Sequence, residues 1–220
     1  MRIVATILVL LIGSGCASMS AEECLTADWQ AIGYEDGARG SSVSAVTSRR
    51  QACAKSAGVT VDMAAYMTGR DMGLVDFCRP SNAYALGARG GAYHGVCAGP
   101  EEREFVAAFE SGRQLYSLTN AVASAQTQIQ EAQYDLVEVD KQITHTEVSL
   151  IAPATPAAER LHLLADLKHL SERKGNIETA LIALNRDHVR AQEELRDYRS
   201  FIAYNGPYPS AATAPTNANF

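Results

Sequence analysis

The second half of the chain carries apolar residues at seven-residue spacing. One row recurs every heptad from Leu115 to Leu150, and a second row from Leu118 to Thr146 lies between its members. Most of the intervening positions are polar or charged. This periodicity predicts a long helix whose apolar seam packs against another helix in a coiled coil.

A proline-containing segment interrupts this pattern, which then resumes. Pro153 and Pro156 are expected to end the helix, because proline lacks an amide hydrogen and clashes with the preceding turn. Beyond them, two apolar rows run from Leu163 to Ile202. Two seams of matched length predict an antiparallel hairpin with arms roughly 65–70 Å long at about 1.5 Å per residue.

Two polar residues, Lys174 and His188, lie within the second seam. Folding the chain about the proline turn places Lys174 near Gln133, within reach of Glu131 or Asp135. A polar residue at a core position fixes register and partner number at some cost in stability. The alternative is that the lysine stem simply carries its ammonium group to water.

The first half of the chain is rich in glycine and aromatic residues. A loose repeat places an aromatic residue ahead of glycines at helical spacing. Because each glycine inside a helix costs roughly 1 kcal/mol relative to alanine, repeated glycines indicate closely packed backbones. Charged residues within the repeats exclude a membrane span. The copies are Trp29-x3-Gly33-x3-Gly37-x2-Gly40, Tyr66-x2-Gly69-x3-Gly73, Tyr84-x2-Gly87-x3-Gly91 and a degenerate Phe109-x2-Gly112-x3-Tyr116.

Five cysteines all lie before residue 98. Four of them, Cys24, Cys53, Cys78 and Cys97, predict two disulfides in an exported protein, with three pairings open. A zinc site is the competing interpretation, but no pair has the C-x-x-C spacing typical of such sites.

The fifth cysteine, Cys16, follows a secretory signal peptide over residues 1–15, which is too short for a transmembrane helix. The small residues before Cys16 make this segment similar to the lipobox of bacterial lipoproteins. That resemblance implies cleavage before Cys16, attachment of fatty acids such as palmitate, and a place on the periplasmic face of the outer membrane. The alternative is a secreted protein cleaved near Ala17, without Cys16.

The glycines, cysteines and aromatics of the first half also occur in a characteristic order. The string runs through Glu23-Cys24, Asp28-Trp29, Gly33, Asp36-Gly37, Gly40, Cys53, Tyr66-x2-Gly69-Arg70-x2-Gly73-Leu74, Phe77-Cys78, Tyr84-x2-Gly87-x2-Gly90 and Tyr93-x3-Cys97. Over about residues 22–116 it resembles a family of small bacterial lipoproteins catalogued as a domain of unknown function. The resemblance implies a lipoprotein with a cysteine-bearing head and implies no activity.

The acidic net charge and the lack of catalytic motifs argue against several classes of function. The formal net charge is -6, and the excess of acid lies in residues 101–204. Without a basic stripe, nucleic acid is not an expected partner. No nucleophile elbow, zinc-protease motif or phosphate loop is present, so we expect neither an enzyme nor a cofactor. His145, His162, Asp166 and His169 are the best metal candidates, but their heptad positions predict incidental polar residues on a solvent-facing surface.

Asp36 and Arg70 are the charged residues of interest in the first half, since each adjoins a repeat glycine. They are expected to form either an internal ion pair or a polar contact for a ligand. Aromatic residues would extend a ligand face by stacking. The candidate face comprises Trp29, Asp36, Tyr66, Arg70, Tyr84 and Tyr93.

Together these patterns predict an all-α protein with a disulfide-stapled helical head and a long antiparallel hairpin. The expected segments are a signal peptide (1–15), a lipidated linker (16–23), the head (24–100), the hairpin (101–205) and a disordered tail (206–220). The first functional hypothesis is an envelope adaptor whose hairpin docks on protein partners or on another copy. The alternatives are a head that binds an envelope polymer or small ligand, and a hydrolase without a recognisable motif.

Overall fold

The computed structural model describes residues 19–206, and that part of the chain is helical without strands. The predicted all-α class is therefore confirmed. The signal peptide, Cys16 and residues 207–220 of the predicted tail lie outside the described residues. The helices are α1 (Ala21–Thr26), α2 (Trp29–Ala38), α3 (Ala45–Ala57), α4 (Met63–Phe77), α5 (Pro80–Ala88), α6 (Pro100–Ile151) and α7 (Ala157–Asn205).

The described chain forms two compact units. The first unit contains residues 19–79 and 93–103, and the second contains residues 80–92 and 104–206. The predicted boundary between head and hairpin at 100/101 does not coincide with this division. The reason is that α5 packs on α6, so a segment expected in the head belongs with the long helices.

In the first unit, α2 and α4 approach so closely that their backbones touch. A Cβ on Gly33 would lie 2.0 Å from the carbonyl oxygen of Tyr66, and one on Gly69 would lie 1.8 Å from that of Gln30. No real Cβ can occupy such a position without moving a helix. Close backbone packing is thus what the glycines of α2 and α4 provide.

Two disulfides staple the first unit, as predicted. Cys24 on α1 bonds Cys53 on α3, and Cys78 at the end of α4 bonds Cys97. The structure thereby selects one of the three possible pairings. Each bridge typically contributes about 2–4 kcal/mol by restricting the unfolded chain.

The second unit repeats the glycine packing between α5 and α6. A Cβ on Gly87 would lie 2.2 Å from the carbonyl oxygen of Phe109, and one on Gly112 would lie 2.2 Å from that of Tyr84. The degenerate fourth copy of the repeat is therefore a true packing partner of the third.

Beyond α5, the second unit is an antiparallel pair of long helices. α6 has 52 residues and α7 has 49, or about 75 Å each at about 1.5 Å per residue. All the predicted seam positions from Leu115 to Thr146 and from Leu163 to Ile202 are buried or half-buried. The predicted hairpin is confirmed. None of the described helices is both long and apolar enough to cross a membrane.

Two polar contacts fix the register of the hairpin. The Tyr198 hydroxyl donates to the Ser111 carbonyl oxygen at 2.7 Å, and Lys174 places its Nζ 2.7 Å from Asp140 Oδ1. The predicted acidic partners of Lys174, Glu131 and Asp135, were therefore wrong.

The contact lies farther along α6, at Asp140, because the turn continues through Pro156 and α7 begins only at Ala157. The hydrogen bond from Lys174 to Asp140 raises the pKa of the lysine. Lys174 therefore pairs across the seam rather than only reaching water.

Two glycines of the second unit provide a matched test of backbone packing. We expect Gly112→Ala to lower the free energy of unfolding by about 2–3 kcal/mol, because its Cβ would collide with the backbone of α5. Gly175→Ala should raise it by up to about 1 kcal/mol, since no atom lies within 4 Å of the added Cβ and alanine favours the helix. Urea unfolding followed by far-UV circular dichroism measures both. Equal effects would contradict the packing role of Gly112.

Candidate functional site

Asp36 is a buried carboxylate, 2% exposed, that joins three helices of the first unit. Arg49 of α3 donates to both carboxylate oxygens, with its Nη2 3.3 Å from Oδ1. Arg39, at the end of α2, places its Nη2 3.0 Å from Oδ1. The Tyr66 hydroxyl of α4 donates to Oδ2 at 3.0 Å. The carboxylate is thus saturated by donors from α2, α3 and α4.

The protonation states of this cluster follow from its partners. Burial alone raises the pKa of Asp36, but hydrogen bonds from Arg49, Arg39 and Tyr66 outweigh it and hold that pKa below its ordinary value. Burial, together with the hydrogen bond to Asp36, raises the pKa of Tyr66 to about 12. Asp36 is therefore an anion and Tyr66 a neutral donor at neutral pH, with neither poised for proton transfer.

Arg70 is buried beside this cluster but forms its hydrogen bond with a different group. Arg70 is 4% exposed, and its Nη2 donates to the Ser41 carbonyl oxygen at 2.8 Å. Ser41 follows the end of α2, where carbonyl groups point outward and favour a cation. Arg70 therefore does not form the ion pair with Asp36 that was one of its two expected roles.

The partner of Asp36 that the sequence analysis missed is Arg49. A signal for it exists in the sequence: Arg49 precedes Cys53 by one helical turn, so both share the face of α3 that meets the rest of the unit. Without knowledge of the disulfide pairing, however, that face could not be assigned.

The six residues of the predicted ligand face do not form an open surface. Trp29 and Tyr66 lie in the hydrophobic core around the Cys24–Cys53 disulfide, at 7% and 0% exposure. Tyr93 is half-buried, and its hydroxyl oxygen accepts a hydrogen bond from the Cys97 amide at 3.0 Å. Tyr84 is half-buried in the second unit. Stacking on a flat ligand requires exposed rings, which these positions do not supply.

The two glycine-packed helix pairs have the same local construction. Gly37 and Gly73 of the first pair make the contacts that Gly87 and Gly112 make in the second. In both pairs a positive-φ glycine follows the first helix under an aromatic ring of the second helix. These are Gly40 under Phe77 in the first pair and Gly90 under Tyr116 in the second.

This correspondence shows what the polar cluster adds. In the matching register, Leu86, Phe105 and Phe109 of the second unit stand where the first has Asp36, Tyr66 and Arg70. Leu86 and Phe105 are buried there without a charge. The same helix packing therefore forms with apolar residues at these positions. The charged residues serve instead to attach α3, which has no counterpart among residues 80–92 and 104–206.

The candidate metal ligands lie along the surface of the hairpin. His145, Asp166 and His169 line a shallow groove of about 550 Å³, whereas His162 does not. Within residues 19–206, no group of three or more histidine, cysteine, aspartate or glutamate side chains is arranged to hold a metal ion.

A second groove, of about 580 Å³, lies on α6 between Val137 and Val148. Two large apolar side chains that line it remain exposed, Val137 at 53% and Val148 at 60%, and two more lie beyond its ends on α6, Tyr134 at 71% and Ile151 at 76%. These side chains belong to the hairpin but not to its seam, and they were not among the residues predicted from the sequence to be functional. They lie in two pairs, each with three-residue spacing, and the stronger periodicity of the seam masked this pattern in the sequence.

Neighbouring acids in α2 test the role of the buried cluster. We expect Asp36→Asn to lower the free energy of unfolding by about 3 kcal/mol, because Arg49 loses its buried counter-charge. Glu35→Gln should change it by less than about 0.5 kcal/mol, since the ion pair of Glu35 with Arg39 is exposed. Urea unfolding can be followed by fluorescence of Trp29, the only tryptophan. Equal losses would refute the cluster's structural role.

The raised pKa of Tyr66 predicts a specific alkaline sensitivity. The pKa of Tyr66 is about 12 in the folded protein, against an ordinary value of 10.0. The neutral hydroxyl of Tyr66 therefore contributes fully to folding stability below pH 10, and this contribution is lost as pH rises towards 12. Between about pH 9 and pH 11, the wild type should lose about 1 kcal/mol more stability than Tyr66→Phe. Trp29 fluorescence in urea measures this difference, and parallel pH profiles would contradict it.

Comparison with known proteins bears on the glycine-packed region. Residues 28–114 match a family described as Protein of unknown function (DUF2799). The matched residues contain both glycine-packed helix pairs and end within α6. No curated protein and no solved structure matches the chain. The predicted resemblance to a family catalogued as a domain of unknown function is therefore confirmed over residues 28–114.

Proposed function

We propose that this protein is a lipid-anchored adaptor of the bacterial cell envelope with no catalytic activity. In this proposal Cys16 carries the lipid and holds the chain at the periplasmic face of the outer membrane. The hairpin of α6 and α7 then binds a protein partner. The signal-like residues 1–15 and the small residues before Cys16 support the anchor.

The observation that carries the proposal is the exposed apolar surface of the hairpin. The seam between α6 and α7 already buries the apolar rows that hold the two helices together. Val137, Val148 and Ile151 lie outside that seam and are more than half exposed. Grouped exposed apolar side chains on a helix are typical of protein contact surfaces.

The first unit supports an adaptor better than a ligand-binding module. Its two disulfides and glycine-packed helices make a rigid body around a core that already contains Trp29 and Tyr66. Its buried carboxylate is saturated by arginines and a tyrosine. Because Trp29, Tyr66 and Asp36 of the predicted ligand face are buried there, we propose no ligand for this unit.

The lipid anchor can be tested by fractionation in a Gram-negative host. The wild-type chain should incorporate labelled palmitate and sediment with membranes, whereas Cys16→Ala should do neither. Ala17→Ser is the matched control, since it alters the neighbouring residue and keeps the modified thiol. Membrane recovery and labelling of Cys16→Ala equal to those of the wild type would overturn the proposed anchor.

The adaptor role can be tested in the same cells by photo-crosslinking. Photoreactive residues at Val137 and Val189 report on α6 and α7, and one at Val75 reports on α4 with similar or greater exposure. We expect discrete protein adducts from the hairpin positions and none from Val75. The absence of adducts at both hairpin positions would contradict the proposed role.

A further inference from the structure

A stripe of six residues runs along α6 on the side opposite the seam. It consists of Tyr134, Val137, Lys141, Thr144, Val148 and Ile151, which alternate three- and four-residue steps. We call these residues the outer stripe. They occupy two of the three outer heptad positions, away from the rows that contact α7, so the hairpin itself leaves them uncovered.

A shallow groove follows the middle of the outer stripe. The groove of about 580 Å³ on α6 is lined by Val137, Asp140, Lys141, Thr144, His145 and Val148, four of which belong to the stripe. Its apolar members remain 53–76% exposed. Side chains three and four residues apart form the rows that interlock when two helices pack. The spacing of the outer stripe therefore suits contact with another helix.

Acidic residues border the outer stripe on both sides. Glu131 and Glu138 lie along one border, and Asp140 and Glu147 lie along the other. Between residues 131 and 151 the chain has five acidic residues and a single lysine. Glu131 and Glu147 form no ion pair with any residue in the range 19–206. Glu138 pairs with Lys141 and Asp140 pairs with Lys174, so each border keeps one uncompensated carboxylate, that of Glu131 or of Glu147.

This charge decides among the partners that an apolar stripe could accept. A second copy docked stripe to stripe would bring acidic borders together, and like charges across an interface are costly. Anionic lipid headgroups would be repelled for the same reason. A helix with apolar residues at three- and four-residue spacing, flanked by lysine or arginine, would fill the groove and neutralise both borders.

We propose that the outer stripe binds an amphipathic basic helix of a protein partner. This inference rests on the proposed adaptor role and names the chemistry of the partner. The stripe spans roughly 26 Å of helix, or about five turns. Because that is smaller than a standard interface, the expected dissociation constant with a single helix is on the order of micromolar.

A synthetic helix provides a defined probe. It contains about three heptads with leucine at the two core positions and lysine at the flanking positions. The full chain should bind this peptide and should bind a matched peptide with glutamate for lysine at least about tenfold more weakly. Isothermal titration calorimetry or fluorescence anisotropy measures both affinities, and raised salt should weaken the lysine peptide.

The chain offers a matched pair of double variants. Val148→Ser with Ile151→Ser removes two apolar side chains of the outer stripe, at 60% and 76% exposure. Val189→Ser with Ile182→Ser removes the same residue types from α7, at 52% and 73% exposure. We expect the first to weaken peptide binding about tenfold and the second to change it less than about twofold. Circular dichroism confirms that both remain helical.

Three outcomes with the purified chain would overturn the inference. They are equal losses in the two double variants, equal binding of the lysine and glutamate peptides, and concentration-dependent self-association of the chain that the stripe variant abolishes. The last result would make the occupant a second copy. In cells, photo-crosslinks from Val189 without any from Val137 would preserve the adaptor role and refute the stripe. Absence of both would refute the adaptor role itself.

Discussion

Contact between helix backbones at paired glycines is the constraint on which both units depend. Where Gly37 meets the backbone of α4, and where Gly112 meets that of α5, no side chain fits between the helices. Such close approach maximises dispersion contacts and compensates for the helix propensity that glycine sacrifices. It also fixes the position of every neighbouring side chain, because the two backbones leave no freedom to slide.

Within that frame, the first unit uses charge where the second uses apolar packing. Asp36 receives hydrogen bonds from three helices, and its counterpart Leu86 sits in the same place as a simple apolar residue. A saturated buried carboxylate contributes orientation more than net stability. In this protein it orients α3, which the Cys24–Cys53 disulfide also ties to α1. The polar cluster therefore holds the helices of the first unit together, and the surface that we propose for partner binding lies elsewhere.

The proposed binding surface is on the hairpin. Two helices in contact can bury only one side of each, so a two-helix arm leaves most of its surface in water. On α6 part of that surface is an apolar stripe between acidic borders, whereas the polar contacts of Lys174 and Tyr198 hold the register inside the arm. The same helix thus has one face that specifies its own partner and another that is available for a different one.

The sequence by itself determined the helical class, the hairpin, the number of disulfides and the importance of the glycines. Each of these depends on local periodicity, proline and glycine chemistry, or the count of cysteines. Only the tertiary structure decided the disulfide pairing, the choice of Arg49 as partner of Asp36, and Asp140 as partner of Lys174. Those contacts join residues distant in sequence, and a shift of one helical turn or one heptad changes the partner without altering any local pattern. The burial of Trp29 and Tyr66 was likewise decided by packing, because the sequence pattern of an aromatic residue in a core is the same as that of one on a binding surface.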